Sequence, residues 1–263
     1  MKPSKLYPED YFSLSRDNQK VLDDYNNRPI GIIQKSVVLP LEIRHYISLF
    51  PNNHLDLRGI RERQDLVNLN DTFLKLINTD GCLERDVLNF INNTPAYHIV
   101  GSILVDRFPF GHHELSLFKE MWLGDEYRTD YVLIGKKSDG YHFVLIEFEK
   151  PEGRITLKDG HLGEAFRKGM YQVEDWRSWM DGHFSIFIND LKTVINPQLP
   201  FPEEFRVYDS SRFHYVVVAG RRKDYNEVTY STKRRILIGS GIYLLHHDNL
   251  YEDSKKLENN QSF

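Results

Sequence analysis

The chain carries a single cysteine, Cys82, in 263 residues. That excludes an intrachain disulfide framework and fits a reducing cytoplasm. No apolar run approaches the length of a membrane span. The opening MKPSKLYPEDYF lacks the apolar stretch of a secretion signal, so the expected location is cytoplasmic. A strong charge of either sign is also missing. The net charge of −4 and pI near 6.3 argue against a general polyanion binder, although a local basic rim fits within an acidic total. Several catalytic devices are absent. The Gly239-Ser240-Gly241 step is followed by no Lys-Ser/Thr and reads as no phosphate loop. No serine-hydrolase elbow occurs. His112-His113 and His246-His247 are adjacent pairs whose side chains would diverge on a strand, with no cysteine set to complete a zinc site. Cys82 has no partner visible in the sequence and reads as a core thiol.

What the chain does have is one organising stretch, residues 127–176. It reads as a hairpin of two apolar strands, 129–134 and 142–149, followed by an amphipathic helix. Acidic residues interrupt the apolar pattern. Asp130 sits at the start of the first strand, and Glu147 and Glu149 close the second. Side chains alternate across a strand, so Glu147 and Glu149 share one face, about 7 Å apart at the backbone. Carboxylates on an inner face are costly to bury without a cation or hydrogen-bond donors. With Asp130 they would form a set of hard oxygen ligands suited to Mg²⁺, with Mn²⁺ as the alternative.

RTDYVLIG, VLIEFEKP and YQVEDW together resemble the PD-(D/E)XK nuclease core, and more closely the nuclease domain of the Shedu anti-phage defence family, over roughly residues 80–252. The resemblance implies an α/β restriction-endonuclease-like core with a central mixed sheet flanked by helices. It implies a Mg²⁺-dependent endonuclease acting on double-stranded DNA, phage or free-ended, and a homo-oligomer with paired active sites. Asp130 and Glu147 would bind the metal, with Glu149 as further ligand or base. Glu84, in the first turn of a helix, matches in chain order a glutamate that reaches the metal or its water. Gln172, four residues before Trp176, matches an element whose amide orients water or substrate. One departure stands out: the E-x-K form places a lysine two residues after the glutamate, and this chain has Glu149 there. Lys150 would face the other side of the strand, and Lys158 on the following loop is a candidate to enter the site. The rival expectation is a nuclease fold that has lost activity and serves as a nucleic-acid-binding or sensor module.

Around this core the sequence divides into an N-terminal region (1–75), the nuclease domain (76–252) and a polar tail (253–263), expected to fray. Residues 1–27 read as an extended arm. Ile30, Ile32, Ile33, Val37, Val38 and Leu39 suggest two short strands, while Leu66, Leu69, Phe73 and Leu76 have helical spacing. This region is expected to gate the nuclease, bind a partner or support assembly. Leu83, Val87, Phe90 and Ile91 mark a short helix, and Thr94-Pro95 suggests the N-cap and first residue of another, over 95–104. Residues 115–123 read as one strand, with Glu114 and Glu120 as surface charges. Leu162, Phe166, Met170, Val173 and Met180 give the next helix its buried stripe. Residues 213–219 read as a buried strand and 236–245 as another, interrupted by glycine. Basic residues concentrate in this half: Arg167-Lys168, Arg212, Arg221-Arg222-Lys223 and Lys233-Arg234-Arg235. They are expected to rim the site and touch phosphates without reading sequence.

Overall fold

A computed structural model of the chain describes residues 2–27, 38–153, 155–157 and 161–258. In chain order the elements are α1 (Arg16–Asn26), α2 (Leu41–Tyr46), α3 (Leu57–Glu62), α4 (Leu66–Ile77), α5 (Glu84–Asn93) and α6 (His98–Gly101). Strands β1 (Glu114–Lys119), β2 (Trp122–Leu123), β3 (Tyr127–Arg128), β4 (Tyr131–Lys137) and β5 (Gly140–Phe148) follow. Then come α7 (Glu164–Lys192), β6 (Phe213–Val218), α8 (Glu227–Ser240), β7 (Ile242–Leu245) and α9 (His247–Glu258).

Five strands form one mixed sheet in the order β1-β4-β5-β6-β7. The first three run antiparallel, and β6 and β7 join parallel to β5 and to each other. A parallel neighbour needs a crossover. Helix α7 supplies it between β5 and β6, and α8 supplies it between β6 and β7. The expected α/β architecture, a mixed sheet flanked by helices, is what the chain adopts.

Strand alternation sorts the core into two layers. Leu133, Val144, Ile146 and Val216 turn to one face, where they pack with residues of α4, α5, α6 and α9. Val132, Ile134, Leu145 and Val217 turn to the other, under α7. Both strands of the central hairpin are therefore buried on both faces, which explains their near-continuous apolar runs.

Several expectations are corrected by packing that is remote in sequence. Residues 2–27 are no loose arm: Leu6 is buried, and α1 starts at a Ser15 cap and buries Leu22. Ile30, Ile32, Ile33 and Val37 lie outside the described residues, and residues 38–40 carry no strand. Thr94 ends α5 instead of opening a helix, because its hydroxyl donates back to Phe90 O; the next helix begins only at His98. Residues 115–123 split into β1 and β2, since Glu120 takes a left-handed φ of 50°. Glu114 is no surface charge. It accepts from Leu49 N–H and the Tyr141 hydroxyl, and burial pushes its carboxyl up. Residues 236–240 finish α8, and Gly241, at φ 69°, caps it with its N–H donating to Leu237 O before β7 begins. The expected fraying tail continues α9 to Glu258 and buries Asp253, Ser254 and Leu257.

Position 75 falls inside α4, and α4 shares its apolar layer with α9 and the sheet. Arg221, buried just past β6, fastens these parts together. It pairs with Asp248 of α9 and donates to Ile77 O at the C-terminus of α4.

Candidate active site

Asp130, Glu147 and Glu149 come to the same face of the sheet. One step beyond the last paired rung, Tyr131–Ile146, Asp130 stands across from Glu147. Glu147 in turn pairs in register with Val217, whose side chain packs beneath α7. Glu149 lies just past β5, where its N–H still donates to Val218 O at 2.8 Å. The carboxylates are not splayed into solvent: Glu147 and Glu149 are 3% and 4% exposed. Asp130 is half-buried and accepts from Phe148 N–H at 2.7 Å.

Burial of like charges determines their protonation. The Glu147 carboxyl is pushed up to about 10, first by burial and then by the charges of Asp130, Glu149 and Glu84. Asp130 rises to about 7, again chiefly through burial, against the pull of the Phe148 N–H. Glu149 is raised less freely, because Lys168 opposes the effect of burial. Glu147 Oε2 is buried without a hydrogen-bond partner among the described residues.

Helix α7 brings the counter-charge. Lys168 Nζ lies 2.9 Å from Glu149 Oε1 and 3.7 Å from Glu84 Oε2. The contact with Glu149 is an ion pair that offsets part of the cost of burying that carboxylate. Burial pulls the Lys168 ammonium down, but its acidic neighbours outweigh that and hold it above the ordinary lysine value. Glu84, at the first position of α5, faces the acids across this lysine. Glu84, Glu149, Lys150 and Lys168 line a cleft of about 440 Å³ together with Arg85 and Glu164. Asp130 and Glu147 are not part of its lining. Lys150, expected on the opposite side of the strand, is exposed and borders the same cleft.

Gly169 sets the close approach of helix and sheet. A Cβ there would meet Val217 Cγ1 at 2.5 Å and Glu149 Cγ at 3.4 Å. Gly169→Ala is therefore expected to lose stability and to shift Lys168 relative to Glu149, although alanine favours helix by roughly 1 kcal/mol over glycine. Thermal unfolding checks this; an alanine variant more stable than wild type would refute it. Gln172 sits one turn beyond Lys168, half-buried, and makes no hydrogen bond to a described residue. Trp176, a residue of α7, is fully buried. Lys158 lies outside the described residues.

With this geometry in place, the chain can be compared with known proteins. The family model described as "Shedu protein SduA, C-terminal" matches residues 81–251. The chain belongs to the Shedu family. The match begins just after α4, so α1 to α4 precede it in sequence; α3 and α4 share its apolar core, whereas Leu22 of α1 and Ile43 of α2 belong to a separate cluster. No curated protein matches. A solved structure of the restriction endonuclease FokI bound to DNA superposes with a TM-score of 0.34 at 14% identity, over 89% of this chain. The superposition takes in 32% of the FokI chain, so the Shedu chain spans about a third of its length.

The structure also sorts the basic clusters of this Shedu protein. Arg221 and Arg212 are structural. The first binds Asp248, and the second pairs with Asp209 and donates to the carbonyls of Asp139 and Tyr141, at the far end of β5. Arg222 pairs with Glu252. Arg167 and Arg235 instead border a groove of about 620 Å³ between α7 and α8, with Tyr171 on its wall, and Arg234 continues it. Lys168 was visible in the sequence only as part of a basic pair. Nothing local singled it out as the residue that meets the acids.

Among the described residues, no three His, Cys, Asp or Glu side chains already stand together as an ion cage. No helix among them is long and apolar enough to cross a membrane.

Proposed function

We propose that this Shedu protein is a metal-dependent endonuclease that hydrolyses phosphodiester bonds of double-stranded DNA in defence against phage. The observation that carries the reading is the buried Glu147 carboxylate, whose Oε2 has no hydrogen-bond partner among the described residues, beside Asp130 and Glu149 on one sheet face. An all-oxygen, acidic donor set of this kind fits Mg²⁺ or Mn²⁺. Asp130, Glu147 and Glu149 would hold the ion, with Glu84 approaching from the facing helix. Such an ion makes water nucleophilic near neutral pH and offsets charge on the phosphate. Gln172 would orient water or phosphate from α7. Lys158, which precedes α7 in the sequence, would contribute a further amine. Arg167, Arg234 and Arg235 would steer the duplex by its phosphates. Residues 1–75 would support or gate the domain, and a homo-oligomer would set two sites along one DNA.

Glu149, standing where the E-x-K form has its lysine, supports one alternative. In that reading the fold binds nucleic acid without cutting it. Incubating linear and supercoiled DNA with wild-type protein and with Glu147→Ala, in Mg²⁺, Mn²⁺ or EDTA, separates the two. Metal-dependent cutting that the substitution abolishes is expected. DNA binding with no cutting under any metal would transfer the assignment to the non-catalytic reading.

A further inference from the structure

We propose that Lys168, reaching into the site from helix α7, is the cation that receives the scissile phosphate. The inference rests on the nuclease reading above and assigns it a residue from the helix, not from the strand.

A cluster of carboxylates repels the polyanion it is meant to cut, so a nuclease site needs fixed positive charge at its mouth. Glu84, Asp130, Glu147 and Glu149 act on one another electrostatically across this face. Among the described residues, Lys168 is the basic side chain within ion-pair distance of any of them. Its partner Glu149 is 5% exposed, whereas the Lys168 side chain is 59% exposed. The carboxylate is thus buried in the fold, while the exposed, multi-donor ammonium lies open to the cleft, within reach of an arriving phosphate.

The contact geometry agrees. The ammonium sits 2.9 Å from Glu149 Oε1 and 3.7 Å from Glu84 Oε2, and its three donors leave capacity for a further acceptor. A compact ammonium also suits a phosphate oxygen as a point charge. Its position is imposed by the backbone: Gly169 lets α7 lie against Val217 and Glu149, which brings the preceding residue to the cleft. When a phosphate enters, Lys168 turns from Glu149 to the ligand and releases the Glu149 oxygen toward the sheet face it shares with Glu147. Lys150 borders the same cleft but forms no ion pair with the acids, so it does not duplicate this arrangement.

The test uses the full chain and two readouts besides cutting. Lys168→Gln and Lys168→Arg are compared with wild type for binding of a labelled linear duplex in EDTA over a salt series. Mn²⁺ binding without DNA is followed by electron paramagnetic resonance. For Lys168→Gln the expected result is a salt slope lower by about one, because one phosphate contact is lost. Mn²⁺ should bind more tightly, because Glu149 is freed of its ammonium. Cutting in Mg²⁺ should fall by ~10²-fold or more. Lys168→Arg should keep the wild-type salt slope. The charge exchange Glu149→Lys with Lys168→Glu should regain part of the lost DNA affinity. A salt slope unchanged in Lys168→Gln would overturn the proposal, even if that variant were less stable. If wild type never cuts, the nuclease reading fails, while the salt slope still decides whether Lys168 holds phosphate.

Discussion

Glu147→Gln is expected to yield a protein that is more stable than wild type and no longer cuts DNA. The gain in stability follows from the position of the carboxyl. Glu147 is buried, faces Asp130 and Glu149, and leaves Oε2 without a partner. Its folded-state value is raised to about 10 from an ordinary 4.5. Between those values the native protein holds a proton that the unfolded chain has released. Stability therefore falls as pH rises through this window, and is fully present only below about 4.5. Asp130, raised to about 7 from 3.8, adds a loss of the same sign over the lower part of the window. Glutamine fills the same volume without a titrating group. The variant should gain roughly 1–3 kcal/mol near neutral pH, and its stability should decline less steeply toward alkaline pH. Denaturant titrations in EDTA, repeated across pH, measure both effects without interference from bound metal. Cutting should fall by at least ~10²-fold, because a neutral amide replaces one acid of the proposed ion site. Equal or lower stability with an unchanged pH slope would show that Glu147 is not held protonated. This exchange of stability for activity is expected where a site keeps charged groups buried.

The largest loss of stability is expected from Asp248→Ala, which removes none of the carboxylates of the candidate site. Asp248 holds Arg221 in a two-pronged contact, Oδ2 to Nε at 3.0 Å and Oδ1 to Nη2 at 2.7 Å. It also accepts from Arg222 N–H at 2.8 Å. The Arg221 side chain is 5% exposed, and its third nitrogen, Nη1, donates to Ile77 O at the C-terminus of α4. Removing the carboxylate strands a buried guanidinium, which typically costs about 3–5 kcal/mol. Since α4, β6 and α9 meet at this point, the loss should appear as one cooperative transition at lower temperature, by roughly 10 °C for a chain of this size. The pH dependence has the opposite sign to that of Glu147. Burial acts to raise the Asp248 carboxyl, but hydrogen bonds and the charge of Arg221 overcome it and lower it to about 2 from 3.8. Its contribution is therefore present above about 3.8 and is lost as pH falls through 2, so wild type and variant should converge in acid. If residues 1–75 instead melt separately while the sheet stays folded, Arg221 is not the tie between these regions. Scanning calorimetry distinguishes one transition from two.

The legible parts of this protein were those governed by local periodicity. The β4–β5 hairpin, the buried strand β6 and the helix after the hairpin could be read because alternation and the 3.6-residue repeat are written along short stretches. The shared face of Glu147 and Glu149 follows from the same rule. Where an apolar run fits two periods, the sequence misled. RRILIGSGIYLL contains both the end of α8 and β7, and only the left-handed cap at Gly241 marks the division. Glu114 looked like a charge at a strand start. Its burial depends on Leu49, which is 65 residues away, and on Tyr141 across the sheet.

By itself the sequence determined that an acidic face would exist on the central hairpin, because the direction of a strand side chain depends on its parity and on nothing distant. Which cation would meet that face was decided only in the tertiary structure. The sequence offered Lys150 and Lys158 because both lie close along the chain. Lys168 reaches Glu149 because a glycine beside it removes the one atom that would hold helix and sheet apart. Such a contact depends on the distance between two packed surfaces, a quantity that no short stretch of sequence encodes.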